Sequence, residues 1–273
     1  MARWLQCGYP RSGNTLLWNL LYRAQRAEGG FRSFCERSGF GRLMEFYESD
    51  KLLHRRHGKI DHFAVRDGQL CFVYPNVDCR HVELDAATFV EASSLLWTHG
   101  RPDSFLDQPW LDRVDRMLYV CRDPRPVYVS SCHHVVRPEY LRLLPQMELT
   151  TVEQVMDRLD LAEKWARDWS EHVKSFLAHR DRFLLVRFED LVADKARVVA
   201  GLLRELEPGA EEGQIERRTA ALLEATGVER MRRESPRHVR EGSPGGWRDE
   251  IRDEARRIVE ETAAEGMREL GYD

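Results

Sequence analysis

The chain has 273 residues, 42% of them hydrophobic and 10% aromatic. That is enough for one sizeable core and short for two full domains, so a single domain over residues 1–273 is expected. A formal charge of -4 argues against nucleic acid or an anionic membrane surface as the main partner, and no run approaches the ~18 consecutive apolar residues of a stable membrane span.

In chain order, "WLQCGY" (4–9) reads as a buried strand, standing where a signal peptide would, so no such peptide is expected. Thr15 to Gln25 is an amphipathic helix. Residues 29–63, rich in Gly, Arg and His, show no regular period. Further strands are expected at "LCFVY" (70–74), "SLLWT" (94–98), "RMLYVC" (116–121) and "RFLLVRF" (182–188). Helical spacing runs from Pro126 to Val136, where Pro138 forbids continuation, from Val152 to Ala178, from Glu189 to Leu206 and from Asp249 to Leu270. Residues 232–247 are a loop rich in Gly and Pro. Strands alternating with helices predict an α/β fold of three layers, a mostly parallel sheet covered on both faces. Cys7, Cys35, Cys71, Cys79, Cys121 and Cys132 contain no C-x-x-C pair, which favours reduced structural thiols and a cytoplasmic protein.

Chemistry concentrates first in "GYPRSGNT", Gly8 to Thr15. It fits the phosphate-loop pattern G-x-x-x-x-G-K-[ST] except at Asn14, where a lysine is expected, and carries a cation instead at Arg11. In a strand–loop–helix setting the backbone N–H groups of Ser12, Gly13, Asn14 and Thr15 open a helix whose end carries about half a positive charge, an anion site. The lost lysine argues against hydrolysis of ATP or GTP. The strand "RMLYVC" runs into Arg122 rather than a magnesium-binding aspartate. Asp123-Pro124 then reads as a helix cap and first turn, which places Ser130 two turns along.

These segments together resemble the sulfotransferase family that uses 3'-phosphoadenosine 5'-phosphosulfate. "YPRSGNT" is similar to its 5'-phosphosulfate loop, "LYVCRDPRPVYVSS" to its 3'-phosphate segment, and "LLVRFEDL" to its Y-E-D-L segment. "TGVERMRRESP" is similar to its adenine-contacting stretch, beginning at Thr226. "VREGSPGGW" matches R-x-G-x-x-G-x-W, with Arg240, Gly242, Gly245 and Trp247 in register. The resemblance implies a P-loop-like sulfotransferase fold and a metal-free transfer. Arg11 would take the usual lysine's place at the oxygen whose charge grows as the S–O bond breaks. Arg11, Ser12, Gly13, Asn14 and Thr15 would hold the 5' end of the donor. Arg122, Ser130, Arg240 and Gly242 would hold its 3'-phosphate, with Phe188, Thr226 and Glu241 completing the nucleotide site.

The family's catalytic histidine lies in a K-[ST]-H stretch, which Thr98-His99 fit. His99 is therefore the expected general base, with His133 and His134 as competitors. Three departures stand out: Leu16 for an adenine-stacking tryptophan, Phe188 for the tyrosine of Y-E-D-L, and Trp97 for the lysine of K-[ST]-H. The acceptor, a small molecule, lipid or saccharide, would meet residues 29–63 and the loop "VVRPEYLRLLPQMEL" after His134. Two rival readings fit the same residues, a P-loop-type kinase or NTPase and a non-catalytic nucleotide-binding member.

Overall fold

The computed structural model describes residues 2–39, 59–73, 81–138, 141, 148–227, 229–230 and 245–272. Seven strands form one sheet among them: β1 (Trp4–Cys7), β2 (Asp61–Arg66), β3 (Gln69–Val73), β4 (His81–Glu83), β5 (Leu95–Thr98), β6 (Arg116–Cys121) and β7 (Leu184–Arg187). Their order is β4-β3-β2-β5-β1-β6-β7. The pairs β2/β5, β5/β1, β1/β6 and β6/β7 are parallel, and β3 alone runs against its neighbours.

The five expected strands are present, β6 with the expected bounds and the others shifted or shortened by one or two residues at an end, and β2 and β4 join them. β2 and β3 form a hairpin whose turn, Asp67-Gly68, has φ of 50° and 77°. A two-residue turn with both φ positive matches strand twist, and Asp-Gly is a favoured sequence for it. The segment read as irregular therefore ends inside the sheet, and it also contains the short helix α2 (Phe34–Ser38), while α3 (Ala86–Ala92) links β4 to β5. Residues 40–58 lie outside the described residues.

Alternation along the strands fills two apolar layers. Leu5, Cys7, Leu96, Tyr119 and Cys121 face one side, where they meet α6 (Leu159–Leu177) and α10 (Asp253–Leu270) through Trp169, Val173, Phe176, Ala263 and Met267. Trp4, Leu95, Trp97, Leu118 and Val120 face the other, against α1 (Asn14–Ala27), α8 (Lys195–Leu206) and α9 (Glu212–Ala225). The three-layer α/β architecture follows from that division. Five cysteines, Cys7, Cys35, Cys71, Cys121 and Cys132, are buried free thiols.

Two expected helices divide. Val152 to Ala178 becomes α5 (Val152–Met156) and α6, separated at Asp157-Arg158. α5 opens on a capping box between Thr151 and Gln154, and the bend lets Val155 and Ala162 enter the same apolar cluster. Glu189 to Leu206 becomes α7 (Phe188–Ala193) and α8, because the Asp194 carboxylate accepts from the Arg197 N–H at 3.1 Å and caps a new helix. α4 (Pro124–Val135) starts as expected, with Asp123 as cap and Pro124 in the first turn. α10 begins at Asp253 rather than Asp249, since Gly246–Arg248 forms a 3-10 turn before it. No described helix is long and apolar enough to cross a membrane.

Candidate active site

The loop after β1 is folded by its own side chains. A Cβ on Gly8 would lie 2.6 Å from the Val120 carbonyl oxygen, so β1 and β6 can close only around glycine there. The Asn14 amide donates to the Tyr9 carbonyl at 2.8 Å, and Gln6 Nε2 donates to the Asn14 carbonyl at 2.8 Å. The residue in the lysine position thus closes the loop with its side chain, leaving its backbone N–H at the helix start. Arg11 and Gly13 adopt left-handed φ of 70° and 94°, which turns the chain into α1. No acidic residue occupies the first turn of α1, so its positive end is uncompensated there. The Ser12 hydroxyl is buried with no hydrogen-bond partner among the described residues. A buried orphan of this kind at a helix start suits an anion oxygen. Thr15 is half-buried in the same turn.

A second cationic arm meets this loop. Arg122 follows β6 and donates from Nη1 to the Arg11 carbonyl at 3.3 Å. Its guanidinium stacks over the Phe188 ring at 4.4 Å. The same ring also bears on the loop, since a Cβ on Gly13 would fall 2.4 Å from Phe188 Cδ2. Arg11 Nε donates to Ser130 Oγ at 3.0 Å, crossing from loop to α4. Arg11, Gly13, Arg122, Ser130 and Phe188, distant in sequence, therefore form one cluster. Phe188, without the hydroxyl of the family's tyrosine, touches both Gly13 and Arg122 through its ring.

His99, one residue beyond β5, approaches from the opposite flank of the loop. Its Nδ1 lies 2.7 Å from the Gly8 carbonyl. A carbonyl only accepts, so Nδ1 carries the proton and Nε2 presents a lone pair. Burial pushes its pKa down to about 4, opposed by the Gly8 contact and assisted by the Arg11 charge. The ring is therefore neutral at pH 7. Behind it lies His172 on α6, bonded through Nδ1 to the Tyr119 hydroxyl at 2.7 Å and pushed down to about 3, mainly by burial and then by His99.

The remaining candidates divide. Thr226, at the end of α9, is buried and spends its hydroxyl proton on the Leu222 carbonyl at 2.6 Å. It is tied to the start of α8 by Lys195, whose ammonium donates to its carbonyl at 2.6 Å. Arg240, Glu241 and Gly242 lie outside the described residues. Trp247, at the end of that loop, is surrounded by the guanidiniums of Arg248, Arg125 and Arg256 at 4.7, 4.9 and 5.8 Å. Arg125 also grips Asp123 through Nε and Nη2 and reaches Glu260 at 3.1 Å. His133, the competitor one turn past Ser130, lies with Nε2 2.6 Å from the Glu250 carboxylate. Sequence pattern passed over His62, on β2, whose ring lies 5.2 Å from that of His99. The Asp67-Gly68 turn, flanked by the apolar runs 63–65 and 70–73, was the signal that places it on a strand.

The chain matches the family profile described as "Sulfotransferase domain" over residues 3–271. None of the curated proteins matches it. Among solved structures, retinol dehydratase in complex with androsterone and inactive cofactor PAP aligns with a TM-score of 0.60 at 20% identity, over 97% of this chain and 80% of that one. Retinol dehydratase in a complex with retinol and PAP gives 0.58 at 20%, over 97% and 81%. Mouse sulfotransferase SULT7A1 complexed with PAP gives 0.59 at 15%, over 97% and 84%. At these identities the structural likeness speaks for the fold, and the family rests on the profile.

Proposed function

The chain belongs to the sulfotransferase domain family, and on that premise we propose that it transfers the sulfuryl group of 3'-phosphoadenosine 5'-phosphosulfate to a hydroxyl or amine of a small-molecule, lipid or saccharide acceptor. The observation that carries this reading is the meeting of Arg11, Arg122, Ser130 and Phe188 at the positive end of α1, beside a buried Ser12 hydroxyl with no partner among the described residues. Two cations on adjacent strand ends suit a ligand with two anionic ends.

The loop amides of Ser12, Gly13, Asn14 and Thr15, with the Ser12 hydroxyl, would hold the 5' end. Arg122 and Ser130 would hold the 3'-phosphate, with Arg240 and Gly242 closing over it and Glu241 completing the nucleotide site. The acceptor proton passes to His99 Nε2 as the acceptor oxygen or nitrogen bonds to sulfur. The bond from sulfur to the bridging phosphate oxygen breaks, and its electron pair stays on that oxygen beside Arg11. A neutral imidazole accepts without first losing a proton, but a pKa near 4 makes it a weak base. Most of the acceleration then falls to charge stabilisation at the leaving oxygen. The androsterone and retinol in the similar structures favour a hydroxyl acceptor of comparable size.

A thermal-shift series with 3',5'-adenosine bisphosphate, AMP, ADP and ATP tests the donor site. At a hundredfold excess over its dissociation constant the bisphosphate should add ~2.7 kcal/mol. Equal shifts with AMP would remove the 3'-phosphate arm. Labelled-sulfate transfer to a panel of alcohols, phenols and amines then tests turnover.

A further inference from the structure

The resemblance expects a lysine at position 97, and this chain has Trp97, with a buried indole. Strand register shows what stands beside it. Position 62 on β2 is the Cα partner of position 97 on β5, in a parallel pair. Partnered residues of adjacent strands share a face of the sheet, and His99, two residues on, continues that face. The three rings are in mutual contact. His62 meets His99 edge to face at 5.2 Å and 87°, Trp97 meets His99 at 5.5 Å and 75°, and His62 meets Trp97 at 5.9 Å.

Direction matters as much as distance. Gly8 holds Nδ1 of His99 from the β1 side, whereas β2 lies on the other side of β5. Gly8 thus engages one nitrogen of the ring from β1, and His62 borders the same ring from the strand on the other side of β5. His62 is half-buried. In any protonation state an imidazole keeps at least one N–H donor.

We propose that His62 is a further catalytic residue, donating a hydrogen bond to the non-bridging oxygens of the sulfuryl group in flight from beside Trp97, the position where the family pattern carries a lysine. No covalent step is added. The donor strengthens as charge builds on those oxygens, so it lowers the barrier more than it tightens ground-state binding. This inference rests on the sulfotransferase reading above.

Two substitutions separate the donor from mere packing. His62→Phe keeps a ring against His99 and removes the N–H, whereas His62→Gln keeps a donor and loses the ring. The inference expects His62→Phe to lower kcat about 10²-fold, with acceptor KM and 3',5'-adenosine bisphosphate affinity unchanged, and His62→Gln to retain most turnover. Any other pattern overturns it, including a change confined to acceptor KM or a fully active His62→Phe. Adding Trp97→Lys to His62→Phe should recover turnover. If that buried substitution does not fold, the Phe and Gln pair decides alone. Unaltered protein that binds the bisphosphate and sulfates no acceptor would instead count against the enzyme reading itself.

Discussion

Arg11 holds a left-handed backbone, which costs a residue with a Cβ about 1–2 kcal/mol. Such strain survives where the side chain is needed, and here that side chain reaches Ser130. Arg11→Gly relieves the strain and adds chain entropy, so unfolding free energy should stay within about 1 kcal/mol of the parent. Turnover should fall at least about a hundredfold. The same change removes a positive charge near His99, so the acid limb of the pH–rate profile, expected near 4 in the parent, should move to higher pH. An unmoved limb would show that His99 is not the group titrating. His99→Ala should cut turnover about a hundredfold or more while leaving bisphosphate binding intact. His99 and His172 also make stability fall with acid. Their folded pKa values, about 4 and about 3, lie below the ordinary 6.5. The unfolded chain therefore binds more protons through that window, and their stabilising contribution is present above 6.5 and lost as pH falls through 4 and 3. Asp61 works in the opposite sense: burial raises it to about 6 against donors that include Ser33, Phe34 and Cys35, so its contribution fades as pH rises through 6. Urea midpoints at a series of pH values would resolve these slopes, and His99→Asn should flatten the acid one.

α4 illustrates how one element positions a functional group it could not orient alone. Its first turn is locked by Arg125, which is bidentate to Asp123 and reaches Glu260 on α10. The Asp123 N–H is held in turn by Glu189 of α7 at 3.0 Å. Removing one partner of a buried ion pair strands the other, at a cost of about 3–5 kcal/mol. Arg125→Ala should therefore lower the urea midpoint strongly with little change in m-value, and an unchanged midpoint would place the pair among contacts of no net worth. The Asp-Pro start of this helix was legible in sequence, because a carboxylate cap and a fixed proline φ are local chemistry. The breaks at Asp157 and Asp194 were not, because apolar spacing continues across both while the backbone turns. β4, only three residues long, offered too little periodicity to read. The Arg11–Ser130 bond and the His62–His99 contact were beyond sequence for another reason: each joins elements whose neighbours are decided by sheet order.

Sheet order is what assembles the site. β1 lies between β5 and β6, with β7 beyond, so the residues leaving their carboxyl ends, Gly8 to Thr15, His99, Arg122 and Phe188, come to one edge. Ligands of open α/β sheets bind at that edge, where the chain departs to opposite faces. The motifs gave the parts and their sequence order, but only the parallel pairings bring them together. We infer that the chain is one cooperative unit, since α10 packs on α6 while its end returns to the site edge, where the Tyr272 hydroxyl lies 3.1 Å from both Cys121 Sγ and Glu189 Oε2. Calorimetry should give a single transition with matching calorimetric and van't Hoff enthalpies; two resolved transitions would divide it. The buried cysteines carry a practical corollary. With Cys7, Cys35, Cys71, Cys121 and Cys132 sealed inside and their thiols pushed toward the protonated form, alkylating reagents at these five positions must wait for the fold to open. Mass-resolved alkylation would then clock how often each layer of the native molecule breathes, without any engineered label.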